Sequence, residues 1–264
     1  VAIKRAGILN DVHFPFEDRQ RYEIALKLFE HFGIDRLFLN GDIGEFLGVS
    51  THPRHPGESI PFPAEIDYIN KRFDELQERF PGVPTTLIEG NHCYRFFRYI
   101  RDVAPQMWGL IDCPKILKFD ERPHWKFVPY GPDQLVRLAE SNLYLRHEPL
   151  GGGANPAKAT AEHSYIDIAT GHCHTYQVSS HKKFGPEPIT NKAYVLGWLG
   201  DKSRSVFDYR GSKDRWVVGC TLVEWDTETG DYTLDFVDLS KIPAFYRGIS
   251  FAPNGLTELP DAVP

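Results

Sequence analysis

At 264 residues and 41% hydrophobic, the chain is long enough to bury one sizeable core, as one domain or two. A net charge of -6 excludes a generally basic nucleic-acid binder. No apolar run approaches the roughly 18 to 20 residues that span a bilayer, and no charged segment leads into an apolar one as in a secretion signal. The expected location is therefore the cytoplasm. Its four cysteines (Cys93, Cys113, Cys173 and Cys220) form no Cys-x-x-Cys pair and read as reduced thiols.

The first hundred residues alternate between strand and helix patterns. Residues 3–9 form a short apolar run ending at Asn10-Asp11. Asp18 reads as the N-cap of a helix with Tyr22, Ala25, Leu26, Phe29 and Phe32 on one face, closed by Gly33. Residues 37–39 read as a second strand, ending at Asn40-Gly41-Asp42. Ile66, Ile69, Phe73, Leu76 and Phe80 then recur at spacings of three and four, the mark of an amphipathic helix, which Pro81-Gly82 stops. Residues 85–88 are a third strand, ending at Gly90-Asn91-His92, and residues 94–103 return as a helix. This rhythm predicts an α/β layer with parallel strands, whose ligands bind beyond the strands' carboxyl ends. Beyond residue 105 strands dominate: 142–146, 166–169, 176–179, 194–199, 215–225 and 232–239, the last two as a hairpin around Asp226 to Asp231. From Pro243 onward, Pro, Gly and polar residues suggest a surface tail. A single domain over 1–240 with a tail over 241–264 is the expected organisation, because candidate ligands come from both halves of the chain.

Five motifs stand in order at predicted strand ends: Asp11-Val12-His13, Gly41-Asp42, Gly90-Asn91-His92, His147, and Gly171-His172-Cys173-His174. They hold five of the chain's 11 histidines. Taken singly some carry little. Asp-x-His arises by chance on the order of once in such a chain, Gly-Asn-His and Gly-His-x-His roughly a few hundredths of a time each. Each residue also has a bland reading: Asp11 as a turn residue, Asp42 as a helix cap, Asn91 as a left-handed turn, His147 as an interior histidine. A structural zinc site finds no cysteine-rich set to support it. Their joint order is what chance does not supply.

Together the motifs resemble the calcineurin-like metallophosphoesterase superfamily across residues 3–180. The segment Gly90 to Phe96 and the later Asp214-Arg215-Trp216 look most like its compact bacterial and phage-type members. The resemblance implies a four-layer α-β-β-α sandwich of two mixed sheets flanked by helices, with a binuclear metal site at the strand C-terminal ends. It implies that Asp11, His13, Asp42 and His174 hold one metal, and that Asp42, Asn91, His147 and His172 hold the other. It also implies that His92, just outside the ligands, acts on the substrate as the catalytic residue. A phage-encoded protein working in the host cytoplasm fits the same group. Three positions depart from the family's pattern: Cys93 after Gly-Asn-His, Glu45 where an aspartate is common, and Glu148-Pro149 after His147.

The chemistry of these residue types agrees with that reading. A bridging carboxylate can hold two divalent ions about 3.5 to 4 Å apart, close enough to share one phosphate and one hydroxide. Two carboxylates cancel only two of the four positive charges, leaving a surplus that suits an anionic phosphoester. Mixed nitrogen and oxygen ligands suit Mn, Fe, Zn, Co or Ni, with Mn²⁺ the first choice.

Substrate class stays open at this level. Between residues 181 and 215 eight Lys or Arg face four Asp or Glu, which either steers a nucleotide or nucleic acid or forms solvated loops. His52, Arg54 and His55 likewise either contact phosphate or form loop surface. A phosphodiesterase or nuclease, a phosphomonoesterase acting on a phosphoprotein or metabolite, and a non-catalytic metal-binding protein are the three readings, with diesters of nucleotides or nucleic acid favoured.

Overall fold

The computed structural model describes residues 2–51, 58–208 and 213–258. In chain order the elements are β1 (Ile3–Asn10), α1 (Arg19–Phe32), β2 (Arg36–Asn40), α2 (Phe62–Arg79), β3 (Thr85–Ile88), α3 (Tyr94–Asp102), α4 (Cys113–Ile116), β4 (Trp125–Val128), β5 (Val136–Arg137), β6 (Leu143–Arg146), α5 (Pro156–His163), β7 (Asp167–Thr170), β8 (Gln177–Lys183), β9 (Ile189–Val195), β10 (Gly219–Asp226), β11 (Tyr232–Asp238), β12 (Ala244–Tyr246), β13 (Ile249–Ala252) and β14 (Gly255–Glu258). A six-stranded sheet runs β11-β10-β1-β2-β3-β4, and a five-stranded sheet runs β5-β6-β7-β9-β8. Within the first, β1 to β4 are mutually parallel, and β10 and β11 are antiparallel additions. The second is mixed too, with β6, β7 and β9 parallel.

Period-two alternation builds two cores from the same strands. Ile8, Phe38 and Ile88 point between the sheets, where they meet Leu143, Leu145, Ala169 and Trp225. Leu9, Leu37, Leu39 and Leu87 point the other way, into the larger core under α1 and α2. On the far side, α5 buries Ala157 and Ala161 against the second sheet. The result is the expected α-β-β-α layering.

Local signals account for most boundaries. Asp18 caps α1 by accepting from the Arg21 N–H at 3.2 Å, and Gly33 closes it at φ 65°. Helix α5 and strand β4 lie outside the sequence expectation. α5 is short and Ala-rich, so it carries little periodicity, although Asn155 followed by Pro156 is a start signal and Asn155 does cap Lys158 N at 3.0 Å. The apolar run expected as a strand over 194–199 instead leaves β9 after Val195, and beyond it Trp198 meets Val218 in an isolated bridge. Trp198 and Leu199 are fully buried beyond the strand, behind the motif residues.

The tail expected from residue 241 is a further correction. Residues 244–258 form a three-stranded antiparallel meander, β12-β13-β14. Phe251 is fully buried, 6.3 Å from the Phe32 ring and 5.8 Å from the His31 ring of α1. Pro and Gly there mark tight turns, not a loose end. Phe251→Ala should lower unfolding stability by about 3–5 kcal/mol, read from the shift in the urea midpoint. An unchanged midpoint would mean that the meander is not part of the core.

No disulfide joins the four cysteines. Among the described residues no helix is long and apolar enough to cross a membrane. His52, Arg54 and His55 lie outside the described residues.

Candidate metal centre

The five motifs converge where the carboxyl ends of both sheets meet. The loops after β1, β2 and β3 bring Asp11 and His13, Asp42, and Asn91 with His92. The loops after β6 and β7 bring His147, and His172 with His174. Ligand atoms of Asp11, His13 and His174 lie within 4.8 Å of one another, as do those of Asp42, His147 and His172.

The backbone is unusual where it matters. Asp11, His13, Asp42, His172 and His174 all have positive φ, between 30° and 69°. Non-glycine residues avoid this region, and such strain persists where the surrounding fold enforces it, most often at functional sites. Two motif glycines are explained by close approach. A Cβ on Gly41, itself at φ 81°, would stand 1.7 Å from His147 Nδ1. One on Gly90 would stand 2.1 Å from Asp42 Oδ1. Each glycine makes room for a motif side chain arriving from another loop.

Side chains from different loops interlock. Asp11 Oδ2 accepts from the His172 N–H at 2.8 Å, and Asp42 Oδ1 accepts from the His92 N–H at 2.7 Å. Asn91 Oδ1 faces both His147 Nε2 at 2.9 Å and His172 Nδ1 at 2.8 Å. The Nε2 atoms of His13 and His174 face each other at 3.1 Å. Trp198 stacks on His174 at 4.5 Å between centroids, and Trp216 meets the same ring edge-on at 4.6 Å. These indoles fix the ring without using its nitrogens.

Electrostatics follow from packing so many ionisable groups out of water. Burial pushes the Asp11 carboxyl up, to about 7, more than His147 pulls it down. Asp42 pays the same burial cost, yet His147, His92 and His13 together hold it well below the usual carboxylate range. Burial and the neighbouring His13 drive His174 well below its usual value, leaving a neutral imidazole.

The donor set fits cations. Asp11 Oδ1 and His147 Nδ1 are buried without a hydrogen-bond partner, 3.7 Å apart. Elsewhere lone-pair atoms converge on one another, an arrangement that a positive ion between them would satisfy. A raised buried carboxyl such as Asp11 is also what a divalent ion would return to its charged form. Oxygen and nitrogen donors together admit several divalent metals without choosing one.

Three residues that the motifs do not assign to the site complete it. Glu45 Oε2 lies 2.7 Å from His13 Nδ1 and 3.0 Å from His92 Nδ1. His13, Glu45 and His92 thus form a third cluster of potential ligands, but Glu45 takes the outer nitrogen of His13 and leaves Nε2 facing inward. That is the carboxylate–histidine pairing that orients a metal ligand from behind. Buried Arg95 donates to Glu45 Oε1 at 2.9 Å and faces His92 Nε2 at 3.0 Å. Gln134 donates to the Glu89 carbonyl at 2.8 Å and accepts from the His147 N–H at 3.0 Å, tying two ligand loops together. Arg95, three residues after His92 at the start of α3, was the more legible of these; Gln134 carries no sequence signal.

Three of the eight basic residues in the stretch after residue 181 are engaged elsewhere. Lys183 donates to the Glu162 carbonyl, Arg204 pairs with Glu58 at 2.7 Å, and Lys213 pairs with Asp208 at 2.6 Å.

No family model matches the chain, and no curated protein does. Solved structures do. PhoD matches with a TM-score of 0.50 and 10% identity, over 100% of this chain and 72% of that one. Vacuolar protein sorting 29 from Cryptosporidium parvum matches at 11% identity and a TM-score of 0.41, over 90% of this chain and 99% of that one. Vps29 from Chaetomium thermophilum matches at 10% identity and 0.39, over 89% and 97%. With its two mixed sheets, flanking helices and clustered His and Asp side chains, the chain has the calcineurin-like metallophosphoesterase fold.

Proposed function

We propose that the protein is a metal-dependent phosphoester hydrolase acting on phosphodiester bonds, of nucleotides in preference to nucleic-acid strands. One observation carries the reading: seven donor residues from five loops meet in one cluster, five of them on left-handed backbone. Asp11, His13 and His174 would hold one ion, Asn91, His147 and His172 the other, and Asp42 would be shared by both. Two divalent ions held there, manganese as first choice, would neutralise phosphate charge, polarise a phosphoryl oxygen and make water a nucleophile near neutral pH.

The chain's own groups do the rest. His92 turns Nδ1 toward Glu45 and Nε2 toward the Arg95 guanidinium, which donates to it, so Nε2 carries a proton for substrate only once Arg95 turns to the phosphate. Histidine and arginine then bear together on the leaving oxygen, one as acid and one as fixed positive charge. The internal pairing of Lys183, Arg204 and Lys213 takes three of that stretch's eight positive groups away from a nucleic-acid strand, which favours a small substrate.

The test is hydrolysis of a chromogenic phosphodiester and its matching monoester, side by side, after chelator treatment and with Mn²⁺ restored. Turnover is expected only with metal, and faster on the diester. A strong monoester preference would make the protein a phosphatase, and metal binding without any turnover would leave a binding protein.

A further inference from the structure

Beside the metal centre lies a cavity of about 560 Å³, in the size range of small-molecule sites. It begins at Glu89, directly before Gly90 and Asn91, and extends along α3 to the turn around Trp108. Its walls are aromatic. Tyr94 and Phe97, one helical turn apart, stack at 4.8 Å and 19°. Tyr130 lies 4.9 Å from the Tyr94 ring, and Trp108 lies 5.1 Å from Phe97. Trp108 is 55% exposed and Phe97 37%, so two large apolar faces stand in water at the cavity mouth.

The same walls lead back to the motif residues. Tyr94 N donates to the Gly90 carbonyl at 3.0 Å. Tyr130 N donates to Glu89 Oε2 at 2.9 Å. The Glu148 carboxylate neighbours Tyr130, helping to raise its hydroxyl above the usual range, and lies 3.9 Å from His172 Nδ1. A group bound to phosphate at the metal centre would therefore meet Tyr130 and Tyr94 first.

Charge decides what kind of group that is. Among the described residues no Lys, Arg or His lines the cavity, and its ionisable carboxyls are those of Glu89 and Asp112. A second phosphate would find no cation there, whereas the acidic side chains offer acceptor oxygens to N–H groups. Stacked aromatic walls are the surface on which planar rings bind.

We propose that this cavity receives the organic part of the phosphoester and that this part is a flat, uncharged aromatic group, such as a nucleobase. The assignment deepens the hydrolase reading and rests on it for the role, though not for the binding.

Binding is therefore measured first without catalysis. Adenosine, uridine and phenol are titrated into chelator-treated protein by calorimetry, with Trp108→Ala, Phe97→Ala and Trp108→Phe compared with the native chain. Saturable nucleoside binding is expected, weakened about tenfold or more by each alanine and retained by Trp108→Phe. On nucleotide esters with Mn²⁺, the alanine variants should raise KM by a similar factor at unchanged kcat. Phenol binding without nucleoside binding supports an aryl ester instead of a nucleotide. Nucleoside binding by a protein that hydrolyses nothing upholds the cavity and sinks the hydrolase reading. No saturable binding of any ring compound, with KM unmoved in the variants, overturns the proposal while leaving hydrolysis intact.

Discussion

Asp42→Asn is expected to reduce hydrolysis on the order of a thousandfold or more, and to lower bound metal below two ions per chain. The amide keeps the oxygen that accepts from the His92 N–H at 2.7 Å, so local geometry survives. What disappears is the negative charge 3.3 Å from His147 Nε2 and 4.0 Å from His92 Nε2, which the proposed centre shares between its two ions. Charge stabilisation by metal is worth several kcal/mol, and each 1.36 kcal/mol is about tenfold in rate. Metal analysis of the dialysed variant, beside kcat/KM on the preferred ester, makes the check. Native activity with two ions retained would overturn the proposed sharing of Asp42 by the two ions.

His92→Ala should separate chemistry from binding. Its loss is expected to lower kcat roughly 100- to 10,000-fold, the usual worth of a positioned acid or base, with metal content unchanged. The separation follows from position: both ring nitrogens of His92 are turned to Glu45 and Arg95, and only its ring edge meets His13, at 4.8 Å between centroids. Should metal be lost together with activity, His92 would instead be a ligand, as the His13–Glu45–His92 cluster would then suggest.

The motif residues were legible because each needs a particular residue type at a strand end, and the strands carry clear periodicity. Asp11, Asp42 and Asn91 follow β1, β2 and β3 directly, so reading the strands placed the residues. Sequence order also brought His147 and His172 into view, through β6 and β7. The supports were harder to see. Glu45 was visible only as a departure from the family's aspartate, although it holds both His13 and His92. Gln134 lies in an irregular loop, and its side chain matters only once β6 and β3 are neighbours in space. The same limit hid the C-terminal meander: turn residues signal a loop equally well whether or not Phe251 finds α1 to pack against.

The left-handed backbone at five of the donor residues has a consequence for anyone copying this centre. A side chain leaves the chain in a direction set by φ, and here that direction is one that ordinary strands and helices do not offer. Seven side chains transplanted at the right distances onto a conventional scaffold would point past one another. The transferable unit is the set of five turns, with Gly41 and Gly90 kept for clearance, and the sandwich of two sheets is the frame that holds those turns open toward each other.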